Sequence, residues 1–222
     1  KVRVTNFKAQ AKNDMGLMLE ASTLLEGLKG YTEKLRPITT SADDIKRIDD
    51  TEAAAKKYAE SMTAYINTSN QMVTEGQMMD TGAARYMKNC NDFLAGQNKA
   101  MREEFLLVGA NLQERLEKIT LVNDIIDVGN AVRVLNFKAQ ATQDPKLMQE
   151  AAQHLKGVKG ITAKLRKITR KDTNIKKIEE TEAAADNYLS AMDAYLKNYL
   201  NLDVIRGEMD AAAGQYVTQC ET

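Results

Sequence analysis

The chain has 222 residues with thirty-one basic and thirty-one acidic side chains, so it lacks the strong basic field that a nucleic-acid binder relies on. It has no Trp, two Pro, eleven Met and a single histidine, His154, while its two cysteines, Cys90 and Cys220, lie far apart. Metal-ligand spacing, a Gly-rich phosphate loop and a nucleophile motif are all missing from the sequence, which predicts no cofactor, no metal and no catalytic centre.

In chain order, the first feature is the start of a repeat. Val2-Arg3-Val4-Thr5-Asn6-Phe7-Lys8-Ala9-Gln10-Ala11 returns as Val132-Arg133-Val134-Leu135-Asn136-Phe137-Lys138-Ala139-Gln140-Ala141, at an offset of 130. The offset holds without a gap to the end, and about half the aligned positions are identical. Lys1 to Val4 reads as the middle of a helix, which is expected to continue N-terminally. This helix breaks near Asp14, and its second copy near Asp144; both are good N-caps, the latter followed by Pro145 at the first helical position.

A second helical segment runs to Arg36 in the first copy and Arg166 in the second. Pro37 and the polar stretch 39–44 predict a turn, with Ser41 and Asp44 as a capping box variant; the equivalent turn is 169–174. A long helix then returns. Met79, Ala83, Tyr86 and Cys90, repeated as Met209, Ala213, Tyr216 and Cys220, fall at heptad spacing and read as a bundle seam with two buried thiols. Residues 98–143 read as one further long helix joining the copies. Gly27, Gly30, Gly157 and Gly160 weaken their helices, which predicts close helix packing there or room for a ligand.

The fold expected is all-α, two stacked four-helix bundles built from the duplication. The breaks at Asp14 and Asp144 place residues 1–13, 67–143 and 196–222 in one module and 14–66 and 144–195 in the other. No apolar run approaches the roughly 20 residues of a membrane span.

The repeated segment also carries the functional expectation. At about 100° per residue, Thr5, Lys8 and Lys12 share one side, facing water. Arg3, Asn6, Phe7 and Gln10 then point toward the bundle axis, as do Arg133, Asn136, Phe137 and Gln140. A buried cation costs several kcal/mol unless compensated. Asp203, Glu75 or Asp80 could supply the counter-charge, or a bound carboxylate could, since guanidinium matches it bidentately. Two such groups with amides beside them suit a C4 to C6 di- or tricarboxylate.

The duplicated hairpins and the V-R-V-x-N-F-K-A-Q segments resemble the helical bimodular sensor domain of bacterial methyl-accepting chemotaxis proteins, nearest to pseudomonad receptors for Krebs-cycle acids. The resemblance implies a non-enzymatic periplasmic domain of an inner-membrane receptor. It implies flanking transmembrane helices, a homodimer, and malate, succinate, fumarate or citrate as ligand. Arg3 and Arg133 match the role of holding the larger acid. A smaller acid such as acetate is implied in the second module, near Tyr31, Tyr58, Tyr65, Tyr188 and Tyr195. Arg206 stands where the first copy has Gly76 and is a weaker candidate. The competing expectations are the sensor domain of a histidine kinase and a helical spacer without ligand.

Overall fold

The computed structural model describes residues 1–105 and 112–221, and among them all regular structure is helical. The helices are α1 (Val2–Lys12), α2 (Met15–Leu35), α3 (Ala42–Phe105), α4 (Leu112–Thr142), α5 (Pro145–Lys167) and α6 (Asp172–Glu221), with one 3₁₀ turn at Arg36–Ile38. The expected helix over 98–143 is divided. Residues 98–105 complete α3 and 112–142 form α4, while 106–111 lie outside the described residues. No described helix is long and apolar enough to cross a membrane.

The expected breaks are present in both copies and have the same chemistry. Asn13 and Gln143 take left-handed backbone angles (φ 50° and 55°). The next amide bonds back across the helix end, Asp14 N to Ala9 O at 2.9 Å and Asp144 N to Ala139 O at 3.1 Å. Asp14 then caps α2 by accepting from Leu17 N, and Asp144 caps α5 by accepting from Lys146 N behind Pro145. Ser41 Oγ likewise accepts from Asp44 N at the start of α3.

These breaks are reversals. Val122 and Ile125 of α4 line one small cavity with Thr162 and Leu165 of α5, Cys90 and Phe93 of α3, and Ile178 and Thr181 of α6. Val122 precedes the turn at Gln143 by about as many residues as Leu165 follows it, so α5 doubles back along α4.

The chain packs as two compact units, Lys1–Gln71 with Asn198–Thr222 (unit 1) and Met72–Lys197 (unit 2). Helices α3 and α6 contribute to both. The cuts in α3 and α6 fall within a few residues of the expected module boundaries, but the short helices are grouped differently. Because the chain doubles back at Asn13 and Gln143, α1 shares a unit with α2, and α4 shares one with α5.

In unit 2, Lys177 Nζ donates to Asp92 O (3.1 Å) and Gly82 lies against Tyr188, so α3 and α6 run antiparallel. A core of Met79, Tyr86, Cys90, Ile125, Val132, Leu155, Leu165 and Met192 fills the space between the four helices. In unit 1, Tyr58 faces Tyr216 (ring centroids 6.5 Å apart) and Tyr65 faces Arg206, again antiparallel. Met18, Ala21, Leu25, Tyr58, Met62 and Met209 are buried there.

Two sequence expectations are corrected at this level. Gly27, Gly30, Gly157 and Gly160 have open space where a Cβ would stand, so they are not packing glycines. Close approach occurs instead at Gly82 and Gly129. Both cysteines are free, but only Cys90 is buried; Cys220 is exposed.

Candidate functional site

The polar segment of α1 and α4 presents a different face to the bundle from the one expected. Asn6, Asn136, Ala9 and Ala139 are buried, Gln10 and Gln140 half-buried, and Thr5 is buried too. Arg3 and Arg133 are exposed, as are Phe7 (63%) and Phe137 (74%). The buried stripe of α4 runs Val132, Asn136, Ala139, so its arginine and phenylalanine fall one position, or about 100°, off the core. Arg3 and Arg133 also belong to different units, so they are not two members of one opposed pair within a unit.

Each unit instead builds the same cluster. In unit 1, Gln10 Nε2 donates to Asn6 Oδ1 (3.1 Å), and Asn6 Nδ2 donates to the buried Tyr58 hydroxyl (2.6 Å). In unit 2, Gln140 Nε2 donates to Asn136 Oδ1 (3.0 Å) and Asn136 Nδ2 to the Tyr188 hydroxyl (3.1 Å). The i, i+4 spacing of Asn and Gln makes the amide contact possible on one helix face.

Charge around the two phenols repeats as well. Burial raises the Tyr58 pKa above its ordinary value; the Asn6 hydrogen bond pulls it back, the charge of Asp210 raises it and that of Arg3 lowers it. Burial raises Tyr188, with Asn136 opposing, Asp80 raising and Arg133 lowering. Asp210 and Asp80 are themselves 130 positions apart. Each cluster therefore takes arginine, amides and tyrosine from one copy of the repeat and its aspartate from the other. Asp80 was among the acids considered from sequence; Asp210 was missed, although the repeat offset leads from one to the other. Neither Arg3 nor Arg133 forms an ion pair among the described residues.

The remaining predicted residues scatter. Arg206, half-buried, lies over the Tyr65 ring at 5.7 Å and bonds Asp203 at 2.9 Å, which fixes it in unit 1 by a cation–π contact and an ion pair. Its counterpart Gly76 leaves the matching place in unit 2 without a side chain, near Gln140. Tyr195 is half-buried against the core of unit 2, and Tyr31 is exposed. A cleft of about 400 Å³ lies between α2 and α3 beside Gly27, where the sequence offered room for a ligand as one of two readings; it is lined by Leu25, Leu28, Ala55 and Ala59 with Lys29 and Lys56. The second copy has Leu189 for Ala59 and Asp186 for Lys56, and there Lys159 bonds Asp186 at 2.8 Å across α5 and α6. Among the described residues no cluster of His, Cys, Asp or Glu has the makings of a metal site.

The buried phenols and thiol give a pH prediction. Burial pushes the Cys90 thiol up to about 12, and burial together with Cys220 pushes Tyr216 up to about 12. Tyr58, Tyr86 and Tyr188 are raised too. Folding thus favours the protonated forms. That contribution is complete below the ordinary values of 9.0 for the thiol and 10.0 for the phenols, and is lost as pH climbs through the raised ones. Urea midpoints are expected to hold steady to pH 9 and fall toward pH 12, with the tyrosinate absorbance of the buried tyrosines appearing together with unfolding. Titration of every tyrosine as a free phenol in the folded chain would contradict this.

Compared with known proteins, the chain matches no family model, and no curated protein matches it significantly.

Proposed function

We propose that this chain is the ligand-sensing domain of a bacterial chemoreceptor, outside the cytoplasmic membrane, and that it binds small organic acids without catalysis. The observation that carries the reading is the twofold occurrence of the Arg-Asn-Gln-Tyr-Asp cluster, one in each unit, with an arginine at its edge that has no carboxylate partner among the described residues. A guanidinium beside hydrogen-bonding amides and a phenol provides what a carboxylate needs: a bidentate donor and further polar contacts. In this reading units 1 and 2 are the two four-helix modules of the stacked helical bimodular fold. Each takes its own acid, with Arg3, Asn6, Gln10 and Tyr58 serving one and Arg133, Asn136, Gln140 and Tyr188 the other.

A helical spacer without ligand is the competing reading. It draws on the same hydrogen bonds, because the Gln–Asn–Tyr chains already satisfy one another inside the protein. Thermal unfolding of the whole chain against malate, succinate, fumarate, citrate and acetate separates the two. A bound acid stabilises the folded state by about 2.7 kcal/mol at a hundredfold excess over Kd. Arg3→Ala and Arg133→Ala should each remove part of the shift, and the double variant all of it, while the unliganded midpoint stays within a degree or so, since exposed side chains contribute little. A flat response to every acid would favour the spacer.

A further inference from the structure

The cleft between α2 and α3 lies wholly within unit 1 and draws on none of Arg3, Asn6, Gln10 and Tyr58. Leu25 and Ala55 are buried in it, Leu28 and Ala59 half-buried. Lys29 of α2 and Lys56 of α3 bring an exposed ammonium from each side. Its volume of about 400 Å³ falls within the range of small-molecule sites.

The second copy of the repeat fills the equivalent place with its own side chains. Leu155, Val158 and Ala185 stand for Leu25, Leu28 and Ala55 and are buried in the core of unit 2, with Leu189 packed against that core. Lys159, the counterpart of Lys29, bonds Asp186 at 2.8 Å. The first copy lacks both of the closing groups. Ala59 ends in a methyl where Leu189 has an isobutyl group, and Lys56 sets a second ammonium where Asp186 has a carboxylate.

The acids near these lysines do not replace Asp186. Lys29 is 3.9 Å from Glu33 and Lys56 is 4.0 Å from Glu60, each one turn along its own helix and exposed, an arrangement that holds a charge only weakly. Glu52, which also lines the cleft, is engaged by Arg36 at 3.1 Å. Glu26 lines it too and is exposed, so a second negative charge on an occupant would meet repulsion.

We infer that the cleft is a ligand site for a monocarboxylic acid with an apolar chain. The chain takes the place of the Leu189 side chain, over Leu25, Leu28 and Ala55, and the carboxylate takes that of Asp186, between Lys29 and Lys56. Positions 56 and 59 are three apart on one helix face, with Cβ atoms about 5–6 Å from each other, which suits an acid of roughly five to seven carbons. The inference does not rest on the acid-binding reading of the Arg3 and Arg133 clusters.

Calorimetric titration of the whole chain with acetate, butyrate, hexanoate and 4-methylpentanoate tests it. Affinity should rise about fourfold for each methylene buried. Hexanol should bind far more weakly than hexanoate. Lys29→Gln and Lys56→Gln, at exposed positions, should each weaken hexanoate several-fold. Ala59→Leu combined with Lys56→Asp writes the second copy into the first; it should raise the melting temperature and abolish hexanoate binding. Arg3→Ala with Arg133→Ala should leave hexanoate binding unchanged, which separates this site from the two clusters. The proposal is overturned by no binding of hexanoate or 4-methylpentanoate, by acetate binding as tightly as they do, or by hexanol matching hexanoate. Undiminished hexanoate binding in both lysine variants and in the filled-cleft variant would overturn it as well, as would its loss in the double arginine variant.

Discussion

Gly129→Val is expected to cost the protein about 3 kcal/mol, at the upper end of overpacking penalties. The added Cβ would enter the ring edge of Tyr86 and the sulfur of Met87. Met87 can rotate aside, but Tyr86 cannot. Its ring is buried, and its hydroxyl is held by the Ile125 carbonyl one helical turn away on the same helix as Gly129. The gain in helix propensity on replacing glycine, up to about 1 kcal/mol, is too small to compensate. Gly157→Ala is the matched control. It is also a helical glycine in unit 2, but it has nothing within 4 Å of the new methyl. It should therefore raise stability by up to about 1 kcal/mol. Denaturant titration of both variants checks the pair. Equal effects of the same sign would mean that α4 does not approach α3 as closely as described.

Asn136→Ala is expected to lose about 2–3 kcal/mol, again by denaturant titration. Its side chain is buried and joins two others: it donates to the Tyr188 hydroxyl and accepts from Gln140. Truncation leaves a buried phenol without its amide donor and a half-buried amide without its acceptor. Tyr188→Phe removes only the hydroxyl, and the isosteric ring keeps its packing, so about 1 kcal/mol should be lost. Should Asn136→Ala prove no more costly than Tyr188→Phe, the amide would not be the hub of the cluster. Asn6→Ala makes the equivalent test in unit 1, where the bond to Tyr58 is shorter.

The sequence by itself determined what is local or repeated. The all-helical class, the offset of 130, the caps at Asp14 and Asp144 and the turn at Ser41 are all legible, because capping chemistry acts within a few residues. The seam Met79, Ala83, Tyr86, Cys90 was readable for the same reason, since heptad spacing puts those residues on one side of a helix. What happens at the breaks was not. A left-handed residue followed by a cap admits a kink or a reversal, and only the packing of Val122 and Ile125 beside Leu165 and Thr162 selects the reversal.

Helix phase was decided by the tertiary structure as well. Segment 2–11 has apolar residues all round it, with Val4 and Phe7 on the outer side, so its composition does not single out one face. The core selected Asn6 and Asn136 because each finds a tyrosine hydroxyl there, fifty-two residues along the chain. That selection turned Arg3 and Arg133 outward, and each buried tyrosine feels the charge of an aspartate from the other copy. The companions of a polar side chain depend on which helices lie next to it. For Asp210 and Asp80 this follows from the antiparallel run of α3 and α6, a long-range pairing that no local pattern of residues encodes.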